Sequence, residues 1–118
     1  MRLVDSHSHF DVDAFDVDRA ETLARARDAG VVAQVVPAID AAGWPRLKSV
    51  CASAPGLHAA YGLHPMYLPA HRPEHLIALR EHLQLDACVA VGEIGLDYFA
   101  EGLDHDQQQH YFEAQLAL

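Results

Sequence analysis

A chain of 118 residues, half of them apolar, makes one domain at most and can bury a modest core. Seventeen acidic against eight basic residues leave a net charge of −9, which excludes a basic stripe able to hold a nucleic-acid backbone unaided; a polyanionic substrate would need bound cations. No repeat, charge block or low-complexity tract points to disorder. The opening Met1-Arg2-Leu3-Val4 is not a signal peptide, and no run reaches the ~20 apolar residues of a membrane span, so a cytoplasmic address without membrane contact is the default expectation.

Taken in chain order, strand and helix patterns alternate. Arg2–Asp5 reads as a first strand. Val17–Ala29 reads as a helix with Ala20, Leu23 and Ala24 on one face, Asp16 or Asp18 as its cap and Gly30 as its stop. Val31–Val36 is a second strand. Asp40–Ser53 is a helix with Pro45 in its first turn, closed by Pro55-Gly56. Leu57–Gly62 is a third strand, followed by a Pro73–Gln84 helix carrying Leu76, Leu79 and Leu83 at helical spacing. Cys88–Val91 is a fourth strand and Gln107–Leu118 a last helical pattern. Cys51 and Cys88 lack metal-ligand spacing and read as reduced core residues. Trp44, Tyr61 and Tyr67 read as packing residues. His58, His71, His75, His82, His105 and His110 read as structural or surface residues.

This rhythm means parallel βαβ units. The strand runs are rich in Val and Ala and do not alternate, as expected of strands covered on both faces. An open doubly wound sheet and a (β/α)8 barrel both fit. His7, His9, Asp40, His64 and Glu93 all fall at or beyond the C-terminal end of a strand, where barrel enzymes place their sites. An open sheet that binds phosphates usually carries a Gly-rich turn after its first strand; His-Ser-His in that place favours the barrel. A complete TIM barrel takes eight units and about 250 residues. The expected fold is therefore α/β, of TIM-barrel type, with residues 1–118 forming the first four β/α units, a half-barrel.

The chemistry concentrates in two segments. In Asp5-Ser6-His7-Ser8-His9 the histidines are two apart, so in extended backbone both imidazoles point to one side and can converge on one cation. Ser8 is small and points away, and Asp5 is a candidate partner behind a ligand histidine. The bland alternative is a pair of solvent-facing histidines in a turn. In Val91-Gly92-Glu93-Ile94-Gly95, a carboxylate directly follows a buried strand and needs a partner or a cation; the alternatives are a helix cap or an ion pair. Flanking glycines allow a sharp turn there. His64, in Gly62-Leu63-His64-Pro65, is either a substrate contact or a polar turn residue, and Tyr98 is a second candidate for lining the site. No G-x-S-x-G elbow supports a serine nucleophile.

These blocks carry a resemblance. Asp5-Ser-His-Ser-His9, Gly62-Leu-His-Pro65 and Val91-Gly-Glu-Ile-Gly-Leu-Asp-Tyr98, followed by the Gln108, Phe112 and Gln115-Leu116 spacing, resemble the first half of the TatD family of metal-dependent hydrolases, within the amidohydrolase-like barrels. The resemblance implies divalent cations (Mg, Mn or Zn), two per complete site, with His7 and His9 on one and Glu93 bridging both. It implies hydrolysis of phosphodiesters, as in deoxyribonucleases, with DNA as substrate; some relatives remove D-amino acids from tRNA. A cation pair ~3.5–4 Å apart would acidify water and polarise the phosphoryl oxygen, which reconciles an acidic protein with a polyanion. The family's remaining ligands, two histidines and an aspartate that acts on the attacking water, come from later strands. The expected general base therefore lies beyond Leu118, and no catalytic residue is assigned within the chain.

Three readings follow. The first is a fragment of a TatD-type hydrolase, inactive alone. The second is a non-catalytic half-barrel that assembles with itself or another chain through its exposed edges. The third is an amidohydrolase bridged by a carboxylated lysine, which Lys48, the only lysine, suits poorly from its place in a helix.

Overall fold

A computed structural model describes residues 1–85 and 87–118. Four strands, β1 (Leu3–Asp5), β2 (Val31–Pro37), β3 (Leu57–Tyr61) and β4 (Cys88–Val91), alternate with helices α1 (Arg19–Asp28), α2 (Trp44–Ala52), α3 (Pro73–His82) and α4 (His105–Leu116). The expected elements are all present, with ends moved by a few residues.

Local chemistry sets the boundaries. Gly30 ends α1 with φ +101°, and a Cβ there would strike the Met1 carbonyl at 2.5 Å. Asp18 occupies the cap position of α1, but its carboxylate makes no capping bond and pairs with Arg25 at 3.4 Å instead. Asp40 accepts from Gly43 N–H and starts a 3-10 turn (Ala41–Gly43), so the helix expected from Asp40 begins at Trp44, with Pro45 in its first turn. Asp104 caps α4 by accepting from Gln107 N–H at 3.0 Å.

The sheet is parallel throughout and its spatial order is the chain order, β1-β2-β3-β4. A doubly wound sheet reverses direction once to cover both faces. Without that switch, right-handed crossovers put every helix on the same side, as in a barrel wall. Between the sheet and its helices lies a core of Val36, Trp44, Leu47, Tyr61, Leu63 and Leu79, each at most 2% exposed. Coverage of both faces is not what this chain shows. Interior strands β2 and β3 supply the buried positions, whereas β1 is exposed along its length and Val4, Val32 and Val89 face outward. Each edge strand pairs on one side only. No helix among the described residues is long and apolar enough to cross a membrane.

Candidate metal centre

The site is built on backbone bonds at the strand ends. Beyond β1 the chain bends at Ser6, and Ser8 N–H donates to Val35 O at 3.0 Å, which ties the segment carrying His7 and His9 to β2. Asp5 Oδ1 accepts from His7 N–H at 3.1 Å, so Asp5 braces the backbone of a ligand candidate rather than its ring. Beyond β4, Gly92 N–H donates to Tyr61 O, and Ala38 exchanges bonds with both Gly92 and Glu93. The segment carrying Glu93 thus crosses the end of β3 to reach the end of β2. It can do so because residue 62 is glycine: a Cβ there would lie 2.7 Å from Gly92 C and 2.9 Å from Glu93 O.

This crossing brings Glu93 Oε2 to 3.2 Å from His7 Nε2 and 3.3 Å from His9 Nε2, while the two Nε2 atoms are 3.3 Å apart. Three donor atoms so arranged fit a cation well. A tetrahedral ion bound at about 2.0–2.1 Å separates its ligands by about 3.3–3.4 Å. Oε2 is buried without a hydrogen-bond partner among the described residues, an orphaned acceptor that a cation would satisfy.

His64 joins the same cluster. Its Nδ1 accepts from Met66 N–H at 3.0 Å, which leaves the ring proton of the neutral imidazole on Nε2, 3.1 Å from Glu93 Oε1. Behind it, buried His71 donates from Nε2 to His64 O at 2.8 Å. Burial pushes the His71 pKa below its ordinary value. Sequence patterning assigned His71 a structural place but not this grip on the site.

Two further supports come from α4, at positions quoted above only for their spacing. Gln115, 1% exposed, accepts from Leu63 N–H at 2.7 Å and donates to Leu63 O at 3.3 Å, fixing the residue before His64. Gln108 does the same for Asp97, at 2.7 and 3.1 Å, closing the loop after Glu93. The two glutamines are seven apart with Tyr111 between them, all buried on one stripe of α4; polar residues at core positions of a helix were the available clue.

Tyr98 is more than half exposed, and its ring packs on His105 with centroids 4.3 Å apart; no side-chain contact recorded among the described residues joins it to the histidine–glutamate cluster. Tyr67, read as a packing residue, is exposed. It lies on a 3-10 segment (Pro65–Ala70) that kinks at Tyr67, where the backbone leaves the helical conformation; Pro65 and Leu68 are buried, and the Tyr67 ring stands edge-on to His64 at 5.5 Å. Lys48 lies exposed on α2. Cys51 and Cys88 are free and only partly buried.

Parallel β/α units with a two-histidine, one-carboxylate cluster at the strand ends define an α/β protein of barrel type with a candidate metal centre. Sequence comparison refines that class. The model of the TatD related DNase family matches residues 4–118, and the chain belongs to that family. It is 39% identical over 119 residues to the uncharacterized metal-dependent hydrolase YjjV of Escherichia coli K12, covering 99% of this chain and 46% of the relative. It is 35% identical over 105 residues to the 3'-5' ssDNA/RNA exonuclease TatD of Pantoea sp. strain At-9b, covering 88% and 40%. The crystal structure of E. coli YjjV, a TatD homologue, superposes with a TM-score of 0.93 at 38% identity, over 98% of this chain and 46% of that one. The chain thus spans about half the length of the relatives it matches.

Proposed function

We propose that this chain supplies half of the active site of a divalent-metal-dependent hydrolase that cuts phosphodiester bonds, with nucleic acid as the substrate class. The observation that carries the reading is the convergence of His7 Nε2, His9 Nε2 and Glu93 Oε2 at 3.2–3.3 Å, with Oε2 otherwise unpartnered. The names of the relatives, a metal-dependent hydrolase and an ssDNA/RNA exonuclease, support the reaction class.

In this reading His7 and His9 hold a cation (Mg, Mn or Zn) through Nε2 and Glu93 holds it through Oε2. A divalent cation so held supplies Lewis-acid polarisation of a phosphoryl oxygen and acidifies water. His64 keeps the Glu93 carboxylate turned toward the imidazoles by donating to Oε1. Glu93 would also be a ligand to a second cation, whose other ligands, like the aspartate expected as general base, would come from strands outside these four units. Residues 1–118 are then the N-terminal half of a barrel domain, and the exposed strand face is where the other half packs.

Isothermal titration of the chain with Zn²⁺ and Mn²⁺, beside cleavage of end-labelled single-stranded DNA, tests this. One cation per chain and cleavage at the metal-only background are expected. Failure to bind metal removes the site, and robust cleavage by these 118 residues removes the half-site. A second reading, a non-catalytic half-barrel that pairs with itself, draws on exposed Val4 and Val89 at the two edges; sedimentation equilibrium would show it as a stable dimer.

A further inference from the structure

Beside the histidine–glutamate cluster lies a cavity of about 550 Å³ to which no role has been given. Its walls come from the loops that position the site: Asp11 and Asp13 after β1, Asp40 after β2, Tyr67 after β3, with Arg46 from α2. Asp11 is two residues from His9, and Tyr67 touches His64 edge-on. Whatever occupies the cavity is therefore next to anything held at the cluster.

The lining restricts that occupant. Three carboxylates repel a phosphate, and the one cation among the residues named is already engaged: Arg46 pairs with the Asp16 carboxylate and donates from Nε to Asp11 O at 2.6 Å. Asp40 Oδ1 is also taken, by Gly43 N–H. The Asp11 side chain is different. The residue is 9% exposed, and its Oδ1 is buried with no hydrogen-bond partner among the described residues. An oxygen so enclosed is closed to an occupant of the cavity, so Asp11 adds negative charge to the wall and no bond to a ligand. Tyr67 offers the recognition surface, an aromatic residue on the cavity wall that is 46% exposed. Exposed aromatic rings beside a phosphodiester site stack bases of any sequence. A volume of this order suits a small ligand rather than a macromolecular surface.

We propose that this cavity is the subsite for the nucleoside next to the scissile phosphate, with Tyr67 stacking on the base. The inference rests on the phosphodiester reading and deepens it. The cluster takes the charged phosphate, and the acidic, aromatic-walled cavity takes the uncharged part. The division also explains why an acidic chain needs no basic groove here, since only the cation has to face the negative charge.

The test is calorimetric titration of the Zn²⁺-loaded chain with deoxyadenosine 5'-monophosphate and with deoxyribose 5-phosphate, which lacks the base. The nucleotide should bind about tenfold tighter or more, the loss expected when one stacked base is removed. Tyr67→Ala should bring the two within about threefold and Tyr67→Phe should restore the preference, while Zn²⁺ affinity stays unchanged in both. Equal binding of the two compounds by the unsubstituted chain overturns the inference, as does a preference that survives Tyr67→Ala; intact Zn²⁺ binding then leaves the metal-centre reading standing. No Zn²⁺ binding by the unsubstituted chain overturns both.

Discussion

Replacing Gly62 with alanine adds one methyl group at the place where the Glu93 segment crosses β3. The φ of Gly62 lies outside the left-handed region, so the substitution is a steric wedge and not a backbone-strain effect. The new Cβ would lie 2.7 Å from Gly92 C and 2.9 Å from Glu93 O, all backbone atoms that cannot rotate away. Ordinary contact begins at 3.4 Å, so the crossing segment must retreat by about 0.7 Å. Overpacking of this kind costs roughly 1–3 kcal/mol. The larger consequence is at the site, because Glu93 rides on that segment while His7 and His9 are anchored to β2. Losing the support of a metal-site residue typically costs 10–100-fold in affinity, and a comparable drop is expected here. Urea unfolding gives the stability change and isothermal titration with Zn²⁺ gives the affinity. A Gly62→Ala chain that binds Zn²⁺ within twofold of the parent would refute the account of how Glu93 is placed.

Other substitutions separate the remaining parts of the structure. His9→Ala removes one of three donors and should weaken Zn²⁺ binding by 100-fold or more while leaving the urea midpoint of the metal-free chain nearly unchanged, measured by titration and unfolding on the same samples. Gln115→Leu leaves the N–H and C=O of Leu63 buried and unpaired, a loss of about 2–5 kcal/mol out of roughly 6–18 for a chain this size, read from urea denaturation. The depressed His71 pKa has a defined sign. The unfolded chain takes up a proton near pH 6.5 that the folded chain refuses, so stability is full above pH 6.5 and falls as pH drops below it toward the folded pKa. That fall, followed by unfolding at pH 7.5 and 5.5, should shrink in His71→Gln. Burial raises the Cys51 thiol to about 11 from 9.0, so iodoacetamide at pH 8 should modify it about 100-fold more slowly folded than unfolded, by peptide mass spectrometry.

The strands and helices were legible because their signals are local. Val/Ala runs, Gly30 after α1 and the prolines opening α2 and α3 each act within a few residues. His7 and His9 were legible for the same reason, since two-residue spacing in extended chain puts both on one side whatever surrounds them. Glu93 could be suspected from its position after a strand. That it reaches both histidines depends on its crossing to Ala38, fifty-five residues earlier in the chain, which no local pattern encodes. The roles of Gln108, Gln115 and His71 were hidden because each bonds to backbone, which leaves no trace in residue type; for Gln115 the partner also lies fifty-two residues earlier in the chain. Tyr67 was misread because it sits at a kink in the 3-10 segment, a break in the backbone that residue type does not reveal. Exposure of β1 follows from its place at the edge of the sheet, which the strand order decides and its own apolar residues do not.

Anomalous diffraction from crystals grown with saturating Zn²⁺ would test the metal centre most directly. A single strong peak about 2.0–2.1 Å from His7 Nε2, His9 Nε2 and a Glu93 carboxylate oxygen is the predicted result. A peak elsewhere on the chain, with these three side chains left unliganded, would contradict it.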